Sequence, residues 1–164
     1  MSTLSLDTLP DVQKGIRTRP LFVMHLDVEP IIRLGLTPDG DRRVGVVTGG
    51  RFEGERLSGE VLGGGADWQI VRPDGATTLD VRLMLKTSDG ALIGMFYRGL
   101  RHGSPAVLAE LAKGTRVDPA DYYFRINAMF ETASPEHAWL NHMLAVGVGD
   151  RRADGPVYSL FEVL

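Results

Sequence analysis

Four Asp-Gly dipeptides, Asp39-Gly40, Asp74-Gly75, Asp89-Gly90 and Asp154-Gly155, punctuate a chain of short β-prone runs. Glycine takes positive φ at a tight turn without steric cost, and Asp-Gly suits the two central positions of a type I′ hairpin. Punctuation of this kind directs a chain towards antiparallel strands. The 20 glycines and 9 prolines are spread through the 164 residues and are not gathered into linkers. Strands are expected at 21–28, 42–48, 56–62, 67–72, 79–87, 92–99, 122–130, 144–148 and 157–163, with a continuation of the first beyond Pro30. Nine or ten strands at this spacing make a barrel or a sandwich. Two helices are expected as well. Ser104 caps the first, Pro105 enters its first turn, Val107, Leu108 and Leu111 share a face, and Gly114 stops it. The second is short and opens at Ser134-Pro135-Glu136.

The length fits a single domain, read as an N-terminal arm over 1–20 followed by a barrel domain over 21–164. Cysteine is absent, which excludes thiol catalysis, Cys-bearing zinc sites and disulfides. The phosphate-loop, dinucleotide and nucleophile-elbow patterns are missing, and no cofactor is expected. His25, His102, His137 and His142 have no metal-ligand spacing, so no metal site is assigned. Gly63-Gly64-Gly65 reads as a bulge or corner between two strands. A net charge of −3 argues against nucleic acid as a partner. The first apolar run, 21–24, is too short to span a bilayer, and no signal-like segment opens the chain. The expectation is a cytoplasmic protein with no membrane partner.

The candidate site comes from strand alternation. A two-residue loop at Asp89-Gly90 sets Arg82 opposite Tyr97 and Met84 opposite Met95. One face of that hairpin then carries Leu79, Val81, Leu83, Leu85, Leu92 and Phe96. The other mixes Asp80, Arg82, Met84, Lys86, Ile93, Met95 and Tyr97. The 122–130 strand repeats the pattern, with Tyr123 and Arg125 on its mixed face. A ligand cavity needs apolar walls with a few placed polar groups. The expected site therefore turns the mixed faces inward. Asp67, Asp80 and Arg82 are the candidate catalytic residues, and Trp68, Tyr97, Tyr123 and Arg125 the candidate ligand-binding ones. The apolar face left outside would need cover, which makes a homodimer or larger homo-oligomer the expected assembly.

Six ordered strings resemble one family: 48–54 (Thr48-Gly49-Gly50-Arg51-Phe52-Glu53-Gly54), 64–69 around Asp67-Trp68, Leu79-Asp80-Val81-Arg82, 87–93 around Ser88-Asp89-Gly90, Tyr122-Tyr123-Phe124-Arg125, and Trp139-Leu140-Asn141. In this order they are similar to uncharacterised protein family 0311, also catalogued as domain of unknown function 3237. The resemblance covers about 21–163. It implies an all-β fold, a single antiparallel β-barrel of lipocalin or calycin type with one or two short helices. It brings no catalytic residue set.

Three functions remain open on these readings. The first is a barrel binding a small organic acid or carbonyl compound, with Arg82 and Arg125 on its polar group. The second is a cofactor-independent isomerase, cyclase or hydrolase, with Asp67 or Asp80 as general base and Arg82 or Tyr97 stabilising an oxyanion. The third is a structural or assembly module without a ligand.

Overall fold

The computed structural model describes residues 4–164. Among them, nine strands form one antiparallel sheet: β1 (Thr18–Val28), β2 (Ile32–Thr37), β3 (Gly40–Glu53), β4 (Ser58–Val71), β5 (Thr77–Thr87), β6 (Leu92–His102), β7 (Tyr123–Glu131), β8 (Ala145–Arg152) and β9 (Gly155–Val163). The order is β1-β9-β8-β7-β6-β5-β4-β3-β2, and β1 also pairs with β3. That pairing closes eight strands into a barrel and leaves β2 as an arm on the first half of β3. Both β1 and β2 run along the same edge of β3, with Val28 opposite Val47 and Ile32 opposite Val44. Pro30 separates them because it has no N–H to donate to the ladder. Ahead of the barrel, two exposed 3-10 turns lie at Leu6–Thr8 and Asp11–Gln13. Residues 1–3 of the arm lie outside the described residues.

The glycine run does not end a strand. β4 passes through it as one 14-residue strand, where the sequence suggests two. The register shifts on both sides of it, between Val47 and Gly50 against β3 and between Leu62 and Ala66 against β5. Gly64 has φ +100°, and a Cβ on Gly65 would stand 2.6 Å from the Arg82 carbonyl oxygen. The run is a bulge that bends two neighbouring strands without breaking the sheet.

The β5–β6 loop corrects the register read from the sequence. Gly90 has φ +90°, but no non-glycine described has positive φ, Asp89 included. A type I′ turn needs positive φ at both central positions. The loop has three residues instead, Ser88-Asp89-Gly90. Gly90 N–H donates to the Thr87 carbonyl at 2.9 Å, and Thr87 N–H donates to the Ala91 carbonyl at 2.9 Å. The pairing therefore slips by one, to Val81 opposite Tyr97 and Arg82 opposite Phe96. A slip of one residue turns every side chain of the second strand to the other face.

With this register the core is coherent. Leu79, Val81, Leu83 and Leu85 of β5 and Ile93, Met95 and Tyr97 of β6 all point inward. The β5 part of the apolar face that suggested an oligomer, Leu79, Val81, Leu83 and Leu85, is thus barrel lining, whereas Leu92 and Phe96 turn to the outside, so the continuous outer face on which the oligomer was expected does not form. At the end near Gly90, Phe22 lies 5.2 Å from Phe52 and 6.1 Å from Phe130 between ring centroids. Burying each such side chain contributes roughly 1.5–3 kcal/mol. The 3-10 helix Pro135–His142 closes this end with buried His137 and Leu140. His137 Nε2 stands 3.0 Å from Asp89 Oδ2, and Asn141 holds Thr132 by two hydrogen bonds of 2.8 and 3.0 Å. Helix α1 (Pro105–Ala112) sits at the opposite end, where the Ser104 hydroxyl accepts the Val107 N–H at 3.3 Å. Among the described residues, no helix is long and apolar enough to cross a membrane.

Gly90 tests the loop assignment. Nothing lies within 4 Å of a Cβ added there, so only the backbone conformation opposes a side chain. Gly90→Ala is expected to lower stability by about 1–2 kcal/mol. Ser88→Ala, one position from the loop centre, is expected to change it little. An unchanged melting temperature in Gly90→Ala would rule out the left-handed residue at this position.

Candidate functional site

The barrel is filled at one end and hollow at the other. A cavity of about 440 Å³ opens at the α1 end, beneath Leu108 and Leu111. The β4–β5 turn, the bend at Pro30 and the β8–β9 turn rim its mouth. Alternation delivers its polar lining. Asp67 and Gln69 are two apart on β4, Thr77 opens the inward face of β5, and Tyr97 and Arg101 continue the inward face of β6. Tyr158 of β9 completes the floor, its ring 5.5 Å from Tyr97 and 5.4 Å from Phe124.

Asp67 is the best-defended group in the cavity. Its Oδ2 accepts the Gln69 side-chain N–H at 2.6 Å, and its Oδ1 accepts the backbone N–H of Asp80 at 3.3 Å. Burial pushes the carboxyl up from 3.8 to about 6. The two hydrogen bonds and the Arg101 charge oppose that rise without cancelling it. Burial is also the largest cause that raises the Tyr97 phenol well above its ordinary value, with Tyr158 and Asp67 adding to it. Arg101 lies 5.4 Å from the Phe124 ring and makes no salt bridge or side-chain hydrogen bond to any described residue. Burial first, and the Arg151 charge second, pull its pKa down, but an arginine stays a cation at any working pH. One proton acceptor near neutrality and one cation without a contact ion pair therefore share an apolar-walled chamber.

The seven residues singled out by sequence divide between the two sides of the sheet. Asp67 and Tyr97 line the cavity. Asp80, Arg82, Trp68, Tyr123 and Arg125 do not. Asp80 is on the exterior, 3.8 Å from Arg98, and serves the cavity through its backbone N–H alone. Arg82 lies outside over the Phe96 ring at 5.6 Å. Trp68 is 51% exposed on the outer face of β4. Tyr123 stacks on His102 outside the barrel, ring centroids 5.0 Å apart, with Arg125 at 5.1 Å from its ring. Trp68 is excluded by alternation, since its neighbour Asp67 faces inward on the same strand; for the residues of β5 and β7 the reason is different. Mixed faces were turned inward, whereas the strictly apolar faces of β5 and β7 fill the barrel, as the hydrophobic effect requires. Arg101, Gln69 and Tyr158 were missed. The three-residue loop would have revealed Arg101, because the correct register puts Tyr97, Gly99 and Arg101 on the face of Val81, Leu79 and Thr77.

The family described as protein of unknown function (DUF3237) matches residues 16–163. The chain belongs to this family. It is 36% identical over 149 residues to a UPF0311 protein of Rhodopseudomonas palustris, covering 91% of this chain and 97% of the relative. A β-barrel-like protein of Acinetobacter baumannii, known from its crystal structure, is 44% identical with a TM-score of 0.80, over 92% of this chain and 97% of that one. The crystal structure of a conserved protein of unknown function from Rhodopseudomonas palustris gives a TM-score of 0.86 at 35% identity, over 92% and 98% of the two chains. The resemblance read from the six strings and the barrel it implied are thus both found.

The raised carboxyl has a sign that can be tested. The folded chain holds the Asp67 proton up to about pH 6, whereas an unfolded chain releases it near 3.8. Between those values the folded state binds more protons, so this group makes stability fall as pH rises and then level off. The cost above pH 6 is roughly 3 kcal/mol, at about 1.4 kcal/mol per pH unit between the two values. Asp67→Asn should therefore be more stable than the parent by ~1–3 kcal/mol at pH 8 and no more stable near pH 4. Asp89, Asp150 and Glu162 have lowered pKa values and act in the opposite sense, but they cancel in the difference. Denaturant melts of both proteins at the two pH values check this, and an Asp67→Asn protein less stable at pH 8 would contradict it.

Proposed function

We propose that the cavity binds a small organic molecule and that Asp67 exchanges a proton with it, without a cofactor. The barrel would be used as lipocalin-like barrels are, with the ligand in the open end of a closed sheet. The compartment taken for this reading is the cytoplasm. The observation that carries it is a carboxyl group inside a 440 Å³ chamber, held by Gln69 and the Asp80 N–H, with its pKa near 6. Such a group is ionised at neutral pH yet close enough to neutrality to pass a proton in either direction.

The chemistry follows from the neighbours. Ionised Asp67 removes a proton from an acidic C–H or O–H of the bound molecule. The electron pair left behind is drawn towards an oxygen, and Arg101 stabilises the charge that develops there in a water-poor site. Protonated Asp67 then returns the proton, to a different atom in an isomerisation. Substrate and product have the same formula, and no redox partner is consumed. Gln69 acts as a positioning residue, because its side-chain N–H holds the Asp67 carboxyl. A second reading keeps the pocket and drops the turnover, making the chain a binding protein; the unpaired Arg101 favours binding of an anion whether or not a reaction follows.

Proton exchange separates the two. A panel of 1,3-dicarbonyl compounds is incubated with the protein in D2O, and loss of the acidic C–H signal is followed by NMR. The parent is expected to accelerate exchange of at least one member, with a rate that rises with pH through about 6 as the Asp67 carboxyl ionises. Asp67→Asn should lower that rate by about 10²-fold or more while leaving the compound bound. Binding without exchange in the parent would support the pure binding protein. Equal exchange by both proteins would remove Asp67 from the role.

A further inference from the structure

The charge of the cavity is opposite to that of the chain. The whole sequence carries −3. The cavity lining carries four arginines, Arg33, Arg43, Arg101 and Arg151, against two carboxylates, Glu29 and Asp67, a formal +2. The carboxylates do not neutralise the arginines by contact. Neither Glu29 nor Asp67 forms a salt bridge within 4 Å among the described residues. Arg43 reaches Asp41 at 2.9 Å through one terminal nitrogen, but its Nε is buried with no hydrogen-bond partner. Arg151 spends one N–H on the Arg152 carbonyl at 2.6 Å. Arg101 is placed by the Phe124 ring and spends no side-chain donor on the described residues. A guanidinium withdrawn from water without an acceptor is costly unless a ligand supplies one.

We propose that Arg101 is the anchor for the carboxylate of an organic acid with an apolar body, drawn in past Arg43 and Arg151. This rests on the reading that the cavity takes a small organic molecule, and it names the class. The planar fork of a guanidinium matches the two oxygens of a carboxylate. Phe124 beside Arg101, and Leu79 and Leu26 elsewhere in the cavity wall, suit a hydrocarbon body. Inorganic phosphate fits less well. It would put up to two negative charges beside ionised Asp67 and leave the apolar wall uncovered. The acid group on Arg101 also orients the rest of the molecule towards the carboxyl that moves the proton. A bidentate carboxylate takes two of the five N–H donors of the guanidinium, which leaves the others for the oxygen on which charge develops.

Three probes test this: cyclohexanecarboxylate and cyclohexanecarboxamide, which are nearly equal in size, and inorganic phosphate. Each is titrated at pH 7 into the parent, Arg101→Met and Arg101→Lys, and followed by amide chemical shifts and calorimetry. The expected result is that the carboxylate binds the parent at least tenfold tighter than the amide. Arg101→Met should abolish that preference without weakening the amide, and Arg101→Lys should keep only part of it. Equal affinity of acid and amide for the parent would overturn the anchor while leaving the pocket intact, a result that needs no variant to fold. Tighter binding of phosphate than of the acid would overturn the class of ligand. Failure of both organic probes to bind at millimolar concentration would overturn this proposal and the small-molecule reading beneath it.

Discussion

Everything in this protein depends on the closure of the sheet between β1 and β3. An open sheet of this length would leave two unpaired edges and one face of Leu, Val, Phe and Met in water. Closure satisfies both edges at once and turns the apolar face into an interior. Two local devices make it geometrically available. Pro30 lets the chain leave β3 and meet it again, so that β1 and β2 share one edge. The Gly63-Gly64-Gly65 bulge bends β4 where a side chain on Gly65 would strike the neighbouring backbone.

An eight-stranded barrel is just wide enough for side chains to fill or for one small molecule to occupy. This chain uses both possibilities along one axis. Near Gly90 the aromatic and aliphatic residues meet and leave no large space. Towards α1 the inward positions pass to Thr77, Tyr97, Arg101, Asp67 and Tyr158, which line a cavity and do not fill it. The division explains why a stable fold can carry a costly site. The apolar half stabilises the barrel, and the polar half is held at the open end, where a ligand can reach it. Asp67 and Arg101 form no contact ion pair, and their longer-range attraction does not cancel the effect of burial, so the site keeps a carboxyl near neutrality beside a cation with free donors.

Much of the fold was legible from short-range signals. Glycine and proline marked the turns, alternation marked the strands, and Ser104-Pro105 marked α1. The site was only partly legible. Asp67 was found because it falls inside one of the six strings that resemble the family, and Tyr97 was found for a reason that the structure replaces. It was placed inside with Arg82 by a two-residue loop, but it is inside with Val81 by a three-residue one. Asp80, Arg82, Trp68, Tyr123 and Arg125 were turned inward because polar residues beside aromatic ones resemble a binding wall. On the outer face of a barrel the same mixture is an ordinary solvated surface with cation–π contacts.

The sequence by itself determined which segments are strands, where they turn, and that one face of each hairpin is apolar, since these follow from φ preferences and from a period of two within a few residues. Tertiary structure decided which face is inside and which residues meet across the barrel. Asp67 and Arg101 are 34 positions apart on strands separated by β5, and Tyr158 comes from the far side of the closed sheet. Their meeting depends on the register of each pair and on the closure, and a single residue of slip in one loop reverses it. Registry of that kind is set by the summed burial of all eight strands, which no one segment encodes.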